Sequence, residues 1–132
     1  MGKVYSAQNV AAYIIYELNE KKEFVNACSI QQILADVNAM WHSVFGHHAF
    51  SETTHDFHKL GYTVKEVADE YQEYGIAHIL EPAKEWFLKY GEFQLVQRPY
   101  AVPNFSVKEE IVMNKILAAY RLRTYNLVNV AV

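Results

Sequence analysis

Residues 61–75 read Gly-Tyr-Thr-Val-Lys-Glu-Val-Ala-Asp-Glu-Tyr-Gln-Glu-Tyr-Gly. Thr63 is followed three residues later by Glu66, the spacing of a capping box, in which the hydroxyl accepts from a backbone N–H and the carboxylate reaches back to the cap. Apolar residues then recur at helical spacing; they are Val64, Val67, Ala68, Tyr71 and Tyr74. Gly75 follows, where a left-handed C-cap suits a residue without a Cβ. The stretch therefore predicts a short helix with a start, one apolar face and an end.

The N-terminal third of the chain shows the same signals. Apolar periodicity predicts a first helix over 7–22, with Ser6 as its cap, and a second helix over 30–45. Ser29 and Gln32 have the spacing of a capping box at the start of the second helix. The apolar face of the second helix is wide and includes Trp41, so we expect this indole in the core.

The C-terminal half mixes helical and extended signals. Pro82 at a first turn, followed by Trp86, Phe87 and Tyr90, predicts a helix over 82–90. Residues 92–103 read as extended, because Pro99 and Pro103 suit an edge strand or a loop. Ser106 with Glu109 forms a further capping box, which would open a helix to about residue 120, and Thr124 could cap a last short helix.

Length and composition favour one folded domain. The chain has 132 residues, of which 52% are hydrophobic and 20% charged, which argues against disorder. We therefore expect a mostly α protein, a single compact helical domain over 1–132 with five to six helices and room for a small hairpin or edge strand.

The charge distribution and the absence of targeting signals argue against a nucleic-acid-binding protein and against a membrane protein. Residues 1–81 contain five Lys or Arg and eleven Asp or Glu, whereas residues 82–132 contain seven and four. Neither half is basic enough to indicate a nucleic-acid partner. No signal peptide and no apolar run of roughly 18 residues is found, so we expect no membrane association. Cys28 has no cysteine to pair with, which favours a reducing, cytoplasmic location.

A candidate partner-binding surface follows from the loop over 47–62 and the helix after it. Long loops without regular structure tend to be functional, and aromatic anchors in a polar surround are typical of binding hot spots. The alternatives are that Phe50 and Phe57 only anchor the loop to the core, or that partners bind the basic C-terminal half around Lys115, Arg121 and Arg123. The predicted surface contains two aromatic residues and the acidic face of the helix: Phe57, Tyr62, Glu66, Asp69, Glu70 and Glu73.

Four histidines in the same loop raise the question of a metal. Imidazoles in a loop can converge on Zn²⁺, and the candidates are His47, His48, His55 and His58. However, the sequence has no His-Glu-x-x-His motif and no cysteine pair. No nucleophile elbow and no glycine-rich phosphate loop is present either. We therefore expect no metal, no cofactor and no enzymatic activity, and we keep a small metal-dependent enzyme using this loop as an alternative.

Taken in order, several segments resemble the Panacea domain, the family of SocA-like and phage-associated antitoxin proteins. The resemblance lies in the order and spacing of the motifs, each of which is weak alone. Two features differ from the family: Tyr62 stands where the family has a proline, and the sequence ends before a Thr-His element that many members have. The chain would thus be a diverged or shortened member. The similar segments are Val10–Ile15, Ser29–Leu34, Gly46 with Phe50, Gly61–Gly75 and Ser106–Glu110.

The resemblance implies a helical interaction protein that neutralises a partner or delivers it to a protease. The implied partner is another protein, namely a toxin, a host factor or a cytoplasmic protease, in a prophage or mobile-element setting. The alternative of the same broad class is a phage-type inhibitor or accessory protein that acts on a host protein.

Overall fold

The computed structural model describes residues 3–89, 91 and 94–131, with the backbone alone for 58, 87–89 and 123–131. The described part is mostly helical, as predicted. It contains four helices and, in addition, a single four-residue turn (α3 below), whereas five to six helices were expected. The helices are α1 (Ala7–Glu20), α2 (Ala27–Phe45), α3 (Phe57–Leu60), α4 (Lys65–Glu70) and α5 (Val107–Ala131). A 3-10 turn covers Gln72–Tyr74, and the strands are β1 (Lys84–Lys89) and β2 (Gln94–Pro99).

The core lies where α1 and α5 pack against α2. Trp41 is 1% exposed, as predicted, and its indole N–H donates to the carbonyl of Lys3 at 2.9 Å. Lys108 at the start of α5 lies 5.9 Å from the ring centre of Phe45 at the end of α2, so the two helices run in opposite directions. The largest fully buried side chains on α1 and α2 are Ile14, Ile15, Leu18, Ile30, Ile33, Leu34 and Trp41.

The first two helices begin differently from the prediction. Asn26, not Ser29, caps α2, because its side chain accepts from the Ser29 N–H at 2.8 Å while the Ser29 hydroxyl accepts from the Asn26 N–H at 2.8 Å. Asn is one of the strongest N-cap residues. At α1 the Ser6 side chain makes no capping bond. The carboxylate of Glu52 accepts from the Ala7 N–H at 2.8 Å instead, and so ties the long loop to this helix.

The helix predicted over 82–90 is wrong, because residues 84–89 form a strand. β1 pairs antiparallel with β2, with Trp86 opposite Gln97 and Glu85 opposite Arg98. Gly91 lies in the connection with φ of 82°, a conformation that favours glycine. Trp86 is consequently 63% exposed instead of facing the core. The extended character predicted over 92–103 is confirmed for Gln94–Pro99, and Tyr90 lies outside the described residues.

The last helix is longer than predicted. The capping box at its start is confirmed, with the Ser106 N–H donating to Glu109 Oε1 at 2.7 Å and the Glu109 N–H donating to the Ser106 hydroxyl at 3.2 Å. α5 then runs to Ala131 without the break predicted at Thr124, since residues 120–124 contain no Gly or Pro. None of the helices in the described part of the chain is both long and apolar enough to cross a membrane.

Candidate functional site

The acidic helix α4 is held in place by a buried glutamine of α2. Gln31 is 2% exposed, and its Oε1 accepts from the N–H groups of Thr63 at 2.7 Å and Val64 at 2.9 Å. Its Nε2 donates to the Val64 carbonyl at 3.1 Å. The capping box predicted at Thr63 and Glu66 is therefore wrong, because a side chain from another helix already satisfies the first backbone donors. The buried Thr63 hydroxyl has no hydrogen-bond partner among the described residues.

The inward face of the same segment fixes the approach to the hairpin. Val64, Val67 and Tyr71 are fully buried, which confirms that part of the predicted apolar stripe. The Tyr71 hydroxyl accepts from the Ala83 N–H at 3.1 Å, one residue before β1. Burial raises the pKa of Tyr71 well above its ordinary value. The tyrosine thus joins α4 to the hairpin and sets the distance between them.

Between the α4 segment and the hairpin lies a groove of about 250 Å³, which we call the acidic groove. Its floor and walls include one lysine, Lys84, and a large exposed aromatic ring, that of Trp86. A shallower depression bounded by Asp69 and Gln72 continues from it across Glu70 and Glu73. The residues of the acidic groove that matter for charge and stacking are Glu70, Glu73, Tyr74, Glu81, Lys84 and Trp86.

The electrostatics of the acidic groove favour a cation. Burial, and then the neighbouring carboxylate of Glu73, raise the pKa of Glu70 above its ordinary value, so its negative charge is held at a cost. Within the described part of the chain, Glu70, Glu73 and Glu81 form no salt bridge. An incoming positive charge would relieve the repulsion between these carboxylates.

Two neighbouring acids are already paired inside the protein. Arg98 lies 2.6 Å from Glu85 across the hairpin, and Lys65 lies 2.7 Å from Asp69 along α4. Asp69 is therefore partly neutralised by Lys65, whereas the acidic groove contains three glutamates, Glu70, Glu73 and Glu81, beside a single lysine, Lys84.

The structure separates the predicted partner-binding residues into two groups. Glu70 and Glu73 meet in the acidic groove, and Asp69 borders its shallow extension. Glu66 is exposed on α4 but lines neither cavity. Phe57 and Tyr62 are half-buried and do not line the groove; Tyr62 instead contacts the His55 ring edge-on at 5.5 Å.

The loop before α3 is anchored to the core at Phe50, as one of the alternatives predicted, whereas Phe57 is half-buried. Phe50 is 4% exposed and pairs with Tyr5 in a parallel bridge, with hydrogen bonds at 2.8 and 2.9 Å through Ala49 and Ser51. The loop is therefore fixed to the core at Ala49 and Phe50, while residues 51, 53, 55 and 56 are exposed.

The histidines of the loop do not form a cluster in the described structure. His47 Nδ1 lies 2.8 Å from the carbonyl of His48, and His55 is turned toward Tyr62. The side chain of His58 lies outside the described residues. Among the side chains that the structure describes, no three His, Cys, Asp or Glu residues are arranged to hold a metal ion.

Trp86, Glu81 and Tyr74 belong to the acidic groove but were absent from the predicted surface. Trp86 lies in the segment whose sequence predicts a helix over 82–90 and which forms strand β1 instead. Gly91 followed by a second extended run is the only local sign of a turn between strands, whereas Trp86, Phe87 and Leu88 are consecutive apolar residues that fit a helix equally well.

Comparison with known proteins does not assign the chain. No family model, no curated protein and no solved structure matches it significantly.

Proposed function

We propose that this protein is a non-enzymatic interaction module that binds the basic surface of another protein through the acidic groove. The observation that carries the proposal is the meeting of three carboxylates without salt bridges and an exposed tryptophan: Glu70, Glu73, Glu81 and Trp86. Tryptophan and charged residues around a rigid concavity are typical of interaction hot spots.

The chemistry of the acidic groove specifies the kind of partner. A Lys or Arg side chain can place its alkyl stem along the Trp86 ring and its charge near the carboxylates, an arrangement stabilised by cation–π attraction and by Coulomb energy. The excess of acidic residues over 1–81 adds a longer-range attraction that speeds encounter with a basic partner.

The resemblance to Panacea-type antitoxins supports a more specific proposal. The protein neutralises a toxin or another cytoplasmic protein, or presents it to a protease, and it does so by occupying the partner's basic surface. The element order that carries the resemblance is compatible with the fold, since a short helix ends before Gly75 and a capped helix starts after Ser106.

A matched pair of charge reversals tests the proposal. The tagged protein, Glu73→Lys and Glu20→Lys are used to capture cellular proteins, and the affinity of the captured partner is then measured by calorimetry. Glu73 lies in the acidic groove, whereas Glu20 is an equally exposed acid at the end of α1. We expect Glu73→Lys to weaken binding at least tenfold, about 1.4 kcal/mol, and Glu20→Lys to change it less than twofold.

A growth assay tests the antitoxin role directly. If the captured partner arrests growth when it is expressed alone, co-expression of the wild-type protein should restore growth and Glu73→Lys should not. Equal binding by both variants, or a captured partner with an acidic contact surface, would exclude the acidic groove as the binding site.

A further inference from the structure

A second concavity lies between α1 and the residues that flank the two strands. Tyr13, Tyr16 and Glu17 form its α1 wall, at the spacings that place side chains on one helix face. Pro82 precedes β1, and Pro99 and Tyr100 stand at the end of β2 and form the opposite wall. We call this concavity the aromatic pocket.

The size and lining of the aromatic pocket suit one side chain of a partner. Its volume is about 290 Å³, at the lower end of the roughly 300–1,000 Å³ of small-molecule pockets, which is enough room for one large side chain. Three of its lining residues are tyrosines, and Tyr16 is 54% exposed, so its ring is accessible from solvent. Such a lining offers aromatic and apolar surface together with hydroxyl groups.

In the described part of the chain, the one charged side chain that lines the aromatic pocket is the carboxylate of Glu17, and Glu85 nearby is paired with Arg98. Burial raises the pKa of Tyr13, and the carboxylates of Glu17 and Glu110 raise it further. Burial likewise raises the pKa of Tyr100, with added effects from Glu70 and Glu85. No Lys or Arg is among the described residues that line the pocket. A purely apolar side chain would gain nothing from this field, whereas a cation with a flat, weakly hydrated face would gain from both the field and the rings.

We propose that the aromatic pocket binds the guanidinium group of an arginine side chain from the partner protein, with the tyrosine rings as stacking surface and Glu17 as the carboxylate acceptor. Pro82 borders both the aromatic pocket and the acidic groove, so the two concavities are neighbours. The inference rests on the proposed function only in taking a protein as the source of the arginine.

The test compares two small probes that differ in charge and share a shape. N-acetyl-argininamide and its neutral isostere N-acetyl-citrullinamide are titrated into protein labelled with ¹³C on its tyrosine rings. We expect argininamide to shift the Tyr13, Tyr16 and Tyr100 signals and to bind at least fivefold more tightly than citrullinamide. Glu17→Gln should reduce this preference to less than twofold, and Glu20→Gln, one turn further along α1, should leave it unchanged.

The outcomes separate this inference from the proposed function. Equal binding of the two probes, or signal changes confined to Tyr74 in the acidic groove, would overturn the arginine pocket while leaving the groove intact. Conversely, a substitution in the acidic groove should leave the pocket unchanged, so Glu73→Lys should not affect the signal shifts that argininamide causes at Tyr13 and Tyr16. Argininamide binding in the pocket together with normal partner binding by Glu73→Lys would retain the pocket and reject the groove.

Discussion

The hydroxyl of Thr63 is buried without a hydrogen-bond partner in the described structure, although its own backbone N–H is bonded to Gln31. A buried hydroxyl that has lost water and gained no partner lowers stability, at a cost of about 1–3 kcal/mol in typical cases. The local sequence therefore predicts that Thr63 caps a helix, whereas in the structure Thr63 is a small buried side chain.

Replacing Thr63 with valine should leave the free energy of unfolding unchanged or raise it by up to about 1 kcal/mol, because valine keeps the shape and removes the unpaired hydroxyl. If Thr63 were a cap, the loss of its oxygen would lower stability by about 1 kcal/mol. Urea unfolding, which measures the free energy of unfolding, distinguishes a buried unpaired hydroxyl from a helix cap. Ser106→Ala is the control, since the Ser106 hydroxyl does cap α5, and we expect it to cost about 0.5–2 kcal/mol.

At the scale of elements, α4 has six residues, too few to be stable as an isolated helix in water. Its start is fixed by the three hydrogen bonds of Gln31, and its inner face by the burial of Val67. The position of Glu70 in the acidic groove thus depends on a residue more than thirty positions away in the sequence.

Replacing Gln31 with alanine should lower the free energy of unfolding by about 2–4 kcal/mol, because the N–H groups of Thr63 and Val64 lose their acceptor and the Val64 carbonyl loses one of its two donors. Amide hydrogen exchange at Thr63 and Val64 should become faster by more than the global destabilisation requires. Gln32→Ala on the same helix is the control, since Gln32 makes only a 3.4 Å contact with Asp36. Similar losses in the two variants would show that Gln31 does not hold α4.

The elements that could be predicted from sequence are those whose signals are local. α1, α2 and the start of α5 have continuous apolar periodicity, and the Ser106–Glu109 box lies within one turn. The hairpin could not be predicted in the same way, because the apolar residues around Trp86 fit a helix until their partner strand is known. Strand pairing is a contact between segments, and a single short segment does not encode it.

The candidate site likewise contains residues with a local sequence signal and residues that come together only through contacts between distant segments. Glu70 and Glu73 were predicted because an acidic helix face is visible in sequence, while Trp86 joins them only through the hairpin. The aromatic pocket was not predicted at all, since Tyr13 and Tyr100 lie far apart in the chain and meet only after the hairpin docks near α1.

At the scale of the whole molecule, one buried carboxylate joins the beginning of the described chain to its last helix. Glu109 is 0% exposed and accepts from the Lys3 N–H at 2.6 Å and from the Tyr5 hydroxyl at 2.7 Å. It also accepts from the Ser106 N–H at 2.7 Å, so the cap of α5 and the N-terminal segment share one acceptor. Tyr5 in turn packs edge-on against Trp41 and Phe105, which extends the connection into the core.

This carboxylate should make the protein sensitive to acid. Burial alone would raise the pKa of Glu109, but the backbone N–H groups of Ser106 and Lys3 and the hydroxyls of Tyr5 and Ser106 outweigh it and hold the pKa below its ordinary value of 4.5. A carboxyl group whose pKa is lower in the folded state stabilises the fold above its unfolded pKa, and the stabilisation is lost as pH falls through the folded pKa.

Glu109→Gln tests this coupling, because the amide keeps the shape but loses the charge and one acceptor. At neutral pH we expect the variant to be less stable by about 2 kcal/mol, the range of hydrogen bonds to a charged group. The difference from wild type should be constant above about pH 5 and shrink as pH falls from 4.5, where the carboxyl of the unfolded chain takes up a proton, to the lower pKa of the folded state. Urea unfolding between pH 3 and pH 7 measures it, with Glu110→Gln, an exposed neighbour, as control. A difference that does not change with pH would show that the charge of Glu109 does not stabilise the junction and that only its shape matters.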